Sequence, residues 1–368
     1  MGSDANGRPD PFSHKLDYLC FELIRALEAI ERAQRRFFPP TVSRLQNELL
    51  PLLPTLNQAR EDARRIEPSH GLGGVRDSID KAADLVAKAL EMITTSSRSD
   101  MEQTVIQVFQ AFRKCCRAQE QLFRLRQVLP SINAFFLEPG ARAQVKELDP
   151  EPPPRLDTGL HHVGTDRDPY ARGSFSLYVP ESYDGSEAWP LVTALHGGFG
   201  HGRDFLWTWL REARSRRFLL LAPSSKGTTW SLLSPDVDGA PLQSMVQDVT
   251  RKWNVDSDRV LLTGISDGGT FALANSLQDP SPFTAFALVA CALPAYDLGM
   301  AQGKRIYWIH GALDWMFPVQ VAQRAATLLE QAGAEITLRI VHDLSHTYPR
   351  DENGNILTWF DPGLGLVG

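Results

Sequence analysis

Cysteine is scarce in this chain: Cys20, Cys115, Cys116 and Cys291 are the only four in 368 residues. None stands at a spacing that ligates a metal or frames a disulfide scaffold, so reduced, packed thiols are expected. Cys115 and Cys116 are vicinal on a helical pattern, point to different sides and are poorly placed to pair. Long apolar runs are missing too. Nothing approaches the roughly 18 uninterrupted apolar residues of a membrane-spanning helix. The first ten residues, Met1 to Asp10, have no apolar stretch of the secretory kind, and Asn6 stands where a myristoylation pattern needs Ser or Thr. Nor is there a basic excess. The chain holds 21 basic and 20 acidic residues up to position 150, then 17 basic and 24 acidic. Nucleic-acid binding needs a basic face, so it is not expected; the Arg32, Arg35 and Arg36 cluster reads as a solvated helix face. These absences predict a cytoplasmic protein with no transmembrane segment, no nucleic-acid partner and no metal.

What is present is the composition of a globular protein, 43% hydrophobic and 22% charged, in a chain long enough for two domains. The first part has helical periodicity over four segments, roughly 13–37, 41–66, 74–94 and 99–129. Val75, Ile79, Ala82, Val86, Ala89 and Ile93 step by fours and threes along one face, and so do Met101, Val105, Val108, Phe112 and Cys115. Ser99 with Glu102 forms a capping box, and Pro51 and Pro54 are expected to kink or split the second segment. This predicts an all-α, bundle-like domain over 1–137. Prolines cluster from 139 to 154, which reads as a semi-rigid linker over 138–159. A second domain fills 160–368.

That second domain carries the chemistry. A buried apolar run from Asp258 ends in Gly264-Ile265-Ser266-Asp267-Gly268 and continues at once as a helix former. A serine hydroxyl reacts when a sharp strand-to-helix turn lifts it clear of the backbone, and the crowding of that turn demands glycine on both sides. Ser266 is therefore the candidate nucleophile. The strand-like Lys304 to His310 is followed by Asp314, a carboxylate able to orient a histidine. The alternating Glu335 to Val341 runs into His342-Asp-Leu-Ser-His346. Upstream, Trp189 to Leu195 opens into His196-Gly197-Gly198-Phe199-Gly200, whose glycines let backbone N–H groups approach a ligand closely.

With these residues the segment from about Leu177 to Pro349 resembles the α/β-hydrolase superfamily, and within it esterases of the phospholipase/carboxylesterase and polyester-depolymerase-like type. The order Ser266, Asp314, His346 is that of the superfamily's triad. The resemblance implies a mostly parallel eight-stranded sheet with helices on both faces, no cofactor, and hydrolysis through an acyl-enzyme. It implies His346 as base, Asp314 as its orienting carboxylate, and an oxyanion hole from the Asp267 N–H with one from Gly198 or Phe199.

Each assignment has a plainer rival. Asp314 beside glycine and proline is also a common turn residue, and His342 competes with His346, although a side chain at the strand end points into packing more often. His310 reads as structural and His196 as a brace of the glycine loop. Asp267 at the start of a helix is a structural acid whose Asn variant keeps most activity. Phe199, Trp207, Trp209, Trp230, Trp315 and Phe317 lie on or near the catalytic-edge loops; of these Phe199 and Trp315 are expected to line the pocket, while Trp207 and Trp209 share a helix. The expected substrate is a small, largely uncharged ester; acyl transfer, peptide cleavage and polyester-oligomer hydrolysis are variants on the same residues. The different-class alternative is a helical interaction module beside a hydrolase-like scaffold. For the helical domain the readings are a lid over the site, homodimerisation through its apolar faces, or passive packing.

Overall fold

A computed structural model describes residues 11–67, 73–97, 100–164, 168–233, 236–294 and 297–365. The N-terminal readings on Met1 to Asp10, Asn6 among them, and the Ser99 capping box lie outside these residues. The chain divides into two compact units, Met1–Phe136 and Leu137–Gly368.

The first unit is helical, with helices Pro11–Arg35, Val42–Leu49, Leu52–Arg64, Gly73–Thr94, Met101–Phe123 and Pro130–Phe135. Prolines split the second segment as expected: Pro51 separates two helices, and Pro54 is tolerated in the first turn of the next, where its missing N–H has no helical partner to lose. Ile79, Ala82, Val86, Ala89 and Ile93 are buried, which is the stripe the periodicity drew. Met101, by contrast, is exposed, because the helix only begins there. Its cap is Asp100, whose side chain accepts the Gln103 N–H at 2.9 Å. Burial, helped by Asp17, pushes the Cys20 thiol up to about 12. Burial and Glu31 do the same to Cys115, so both are inert at neutral pH.

Two helices of this unit are tied by charge. Arg60 lies 2.8 Å and Arg64 2.7 Å from the Asp80 carboxylate. Burial alone would raise the Asp80 pKa, but the hydrogen bonds from the two guanidinium groups overcome it and bring it from 3.8 to about 2. A value depressed on folding stabilises above the unfolded value and fades as pH falls through the folded one. Asp80→Asn should therefore cost about 1 kcal/mol at neutral pH, after allowance for solvent screening. The corresponding difference in melting temperature should shrink as pH falls below 3.8 and be lost only below about pH 2.

The second unit is built on an eight-stranded sheet: β1 Gly159–Val163, β2 Phe175–Val179, β3 Trp189–Leu195, β4 Leu219–Pro223, β5 Val255–Ile265, β6 Ala285–Val289, β7 Arg305–Gly311 and β8 Glu335–Val341. The order is β1-β2-β4-β3-β5-β6-β7-β8. Pairings β1 with β2 and β2 with β4 are antiparallel, and all those from β4 to β8 are parallel. Central strands read as continuous apolar runs because helices cover both faces; β6 is buried along its whole length. The edge strand β8 alternates exposed and half-buried residues.

The proline-rich stretch is more structured than a linker. Residues Pro139–Gln144 form a 3₁₀ turn and Val145–Leu148 a helical turn, with Ala141 and Leu148 buried. Glu138 receives a bidentate pair from Arg216, both bonds 2.7 Å, and Asp149 lies 2.8 Å from the fully buried Arg214 guanidinium. Composition hid this, since a proline cluster without periodicity looks the same whether solvated or packed. The helix expected around Trp207 and Trp209 is instead broken, with a 3₁₀ turn at Leu206–Thr208 before the helix Leu210–Arg216. Both tryptophans are core.

Candidate active site

The parallel strands β3, β5, β7 and β8 all end on one edge of the sheet, and the four sequence motifs follow them there. After β5 the chain turns within one residue into the helix Asp267–Ser276. Ser266 sits in the turn at φ 55 and ψ −121, a conformation costing on the order of 1–3 kcal/mol for a non-glycine residue. Its surroundings enforce it. The Ser266 N–H donates to the Val289 carbonyl at 2.9 Å and its carbonyl accepts from Thr270 at 2.8 Å. Glycine is required on both sides: a Cβ at Gly264 would come within 2.6 Å of the Gly268 backbone, and one at Gly268 would overlap the carbonyls of Leu195 and His196.

Asp314 lies in the loop after β7 and His346 in the loop after β8. The loops are knit together by the Leu313 N–H on the Leu344 carbonyl at 2.9 Å. They approach so closely that a Cβ at Gly311 would overlap the Leu344 backbone. His346 Nε2 stands 3.0 Å from Ser266 Oγ, and Nδ1 stands 2.9 Å from Asp314 Oδ2. The other carboxylate oxygen, Oδ1, accepts the N–H groups of Met316 at 2.9 Å and Phe317 at 2.8 Å. All three side chains are buried. His342 is exposed, and His310 donates from Nε2 to the Phe317 carbonyl at 2.8 Å, bracing the Asp314 loop.

The glycine loop after β3 is equally constrained. The Gly197 carbonyl accepts from Gly200 N–H at 3.0 Å and lies 2.7 Å from His196 Nδ1. His196 Nε2 accepts the Ser225 N–H at 3.2 Å, so Nδ1 is the protonated nitrogen and donates to Gly197. In a trans peptide the N–H points opposite the C=O, which directs the Gly198 N–H away from these partners. A Cβ on Gly197 would sit 3.6 Å from that of Ser266, so the loop lies directly over the serine. The Phe199 N–H has another occupation, donating to the Thr228 carbonyl at 2.8 Å. Asp267 turns its carboxylate to the Thr229 hydroxyl.

Residues 241–361 match the family described as Phospholipase/Carboxylesterase. The matched stretch is about a third of the chain. It contains Ser266, Asp314 and His346 and leaves out the glycine loop and the helical unit. No curated protein matches the chain in sequence. Among solved structures a thermostable esterase is 20% identical with a TM-score of 0.43, over 51% of this chain and 58% of that one. Esterase PE8 is 21% identical with a TM-score of 0.40, over 47% and 93%. The acetyl xylan esterase of Aspergillus awamori is 16% identical with a TM-score of 0.43, over 55% and 98%. The chain thus spans little more than half the length of the first of these.

Around Ser266 the aromatics divide. Phe199 is 68% exposed. Trp315 is half-buried, with its ring edge-on to His346 at 6.0 Å. Phe317, which the sequence places near the same loops without singling it out, is closer to His346 at 5.4 Å. Trp230 stacks on Phe271 at 5.1 Å and donates from Nε1 to the His196 carbonyl at 2.7 Å. It therefore supports the glycine loop from behind. Apart from Trp230, which the sequence places among the aromatics near the catalytic-edge loops without singling it out, the 225–231 segment was missed as site material. Its one available signal was position, since Lys226-Gly-Thr-Thr-Trp230 follows β4 on the same edge of the sheet.

Proposed function

We propose that this hydrolase cleaves a small, largely uncharged carboxylic ester through an acyl-enzyme on Ser266. The observation that carries the reading is the continuous hydrogen-bonded line from Ser266 Oγ through His346 to Asp314, at 3.0 and 2.9 Å. His346 Nε2 takes the hydroxyl proton as Oγ attacks the ester carbonyl, then delivers it to the leaving alcohol. Water repeats the cycle in reverse to release the acid. Asp314 keeps the proton on Nδ1, leaving Nε2 free to act as base, and stabilises the imidazolium.

The oxyanion meets two backbone donors, the Asp267 N–H at the helix start and the Gly198 N–H. Gly198 is preferred to Phe199 because the Phe199 amide is already bonded to Thr228. Each donor contributes about 2.7–4 kcal/mol to lowering the barrier. The exposed Phe199 ring and Trp315 supply an apolar wall. Phe199→Ala is expected to raise KM for an aryl or long-chain ester about three- to tenfold with kcat nearly kept, the signature of lost uniform binding.

Turnover of chromogenic esters of increasing acyl length, with Ser266→Ala as control, tests the reading. Hydrolysis by the parent that disappears in the variant supports it. Equal rates for the two proteins would refute it.

A further inference from the structure

We infer that Thr229 is a positioning residue for the oxyanion site: its hydroxyl holds the Asp267 carboxylate off the Gly198 amide. Charge developing on the substrate then meets N–H donors and not a second anion. The inference rests on the acyl-enzyme reading above. The problem it resolves is visible in the sequence. An acidic residue directly after the nucleophile puts a carboxylate next to the amides that must receive negative charge, and like charges at close range oppose one another.

The geometry is close. A Cβ on Gly198 would stand 2.8 Å from Asp267 Oδ2 and 3.9 Å from Thr229 Oγ1. The carboxylate therefore sits on the open side of the Gly198 Cα, where a side chain would be, and the Thr229 hydroxyl donates to that same Oδ2. Thr229 has little freedom to leave. On one side the Thr228 carbonyl accepts the Phe199 N–H at 2.8 Å. On the other, Trp230 is fixed by its bond to the His196 carbonyl and its stack on Phe271. The residues flanking the hydroxyl are thus anchored to the loop whose amide it protects. When Oδ2 loses that donor it is free to turn toward the neighbouring Gly198 amide, and a carboxylate there both competes for the N–H and repels the oxyanion.

The effect falls on the transition state, where charge appears, and so on kcat more than on KM. The experiment is a double-variant cycle measuring kcat and KM on a chromogenic ester for Thr229→Val, Asp267→Asn and the two combined, with Thr229→Ser as conservative control. Thr229→Val is expected to lower kcat about tenfold or more with KM within about twofold. Asp267→Asn should cost less, because its amide oxygen still accepts from Thr229. The combination should recover most of the Thr229→Val loss, and Thr229→Ser should stay near the parent.

A merely structural part for Thr229 would make the two losses add. The inference is overturned if Thr229→Val leaves kcat at the parental value, or if the double variant is as slow as Thr229→Val. Thr229→Ala, run beside it with melting temperatures for both, keeps the comparison readable if valine disturbs folding. Labelling by a serine-directed phosphonate separates the two levels of the argument. Labelling of the parent and not of Ser266→Ala upholds the acyl-enzyme whatever the cycle gives, whereas full turnover by Ser266→Ala sinks both.

Discussion

Ser266→Ala is expected to reduce kcat on a chromogenic acetyl ester by about a millionfold, leaving substrate binding and melting temperature close to those of the parent. The size of the loss follows from unity of action. Without Oγ, the imidazole 3.0 Å away has no proton to take, and the oxyanion donors have no tetrahedral carbon to serve. Alanine keeps the Cβ and therefore the backbone strain at φ 55, so the variant isolates chemistry from folding. Active-site titration with a burst-forming ester gives the second readout. The parent should show one equivalent of acyl-enzyme and the variant none; a full burst from Ser266→Ala would place the nucleophile elsewhere.

Asp314→Asn should be nearly as damaging, about ten-thousandfold in kcat, for a reason fixed by the two halves of the carboxylate. Oδ1 accepts N–H groups from both Met316 and Phe317, so an asparagine there must keep its carbonyl oxygen on that side. Its NH₂ then occupies the Oδ2 position and presents a hydrogen to His346 Nδ1, 2.9 Å away. The imidazole can answer only by moving its proton to Nε2, where it faces Ser266 and can no longer accept. The pH profile discriminates: the residual activity should rise at high pH as hydroxide replaces the lost base. A variant with near-parental kcat would mean that His346 is oriented by something other than Asp314.

The strand ends were the legible part of this site. Ser266, Asp314 and His346 each follow a strand-like segment, and parallel strands deliver their carboxyl ends to one edge, so sequence order alone implies convergence. The glycines told the same story, since Gly264 and Gly268 are needed where the backbone folds back on itself. The 225–231 segment was opaque for a physical reason. Thr229 and Trp230 act by hydrogen bonds to residues 30 or more positions away, His196 and Asp267, and no local periodicity or spacing encodes such a partner. In the helical unit the apolar stripe of Gly73–Thr94 was readable because it repeats, while the cap at Asp100 depends on one side-chain bond.

Dissection of the two units should respect the anchoring of the proline-rich stretch. Arg214 is wholly enclosed and neutralised by Asp149 and by Glu181, at 2.8 and 3.3 Å. A cut at residue 160, where composition first suggests a boundary, would remove one of these two carboxylates together with Glu138, the clamp on Arg216. Stripping a counter-ion from an enclosed guanidinium typically costs about 3–5 kcal/mol, a large share of the stability of an ordinary domain. A second unit excised from Leu137 keeps its counter-ions; one beginning at 160 carries an electrostatic wound unrelated to the chemistry proposed for Ser266.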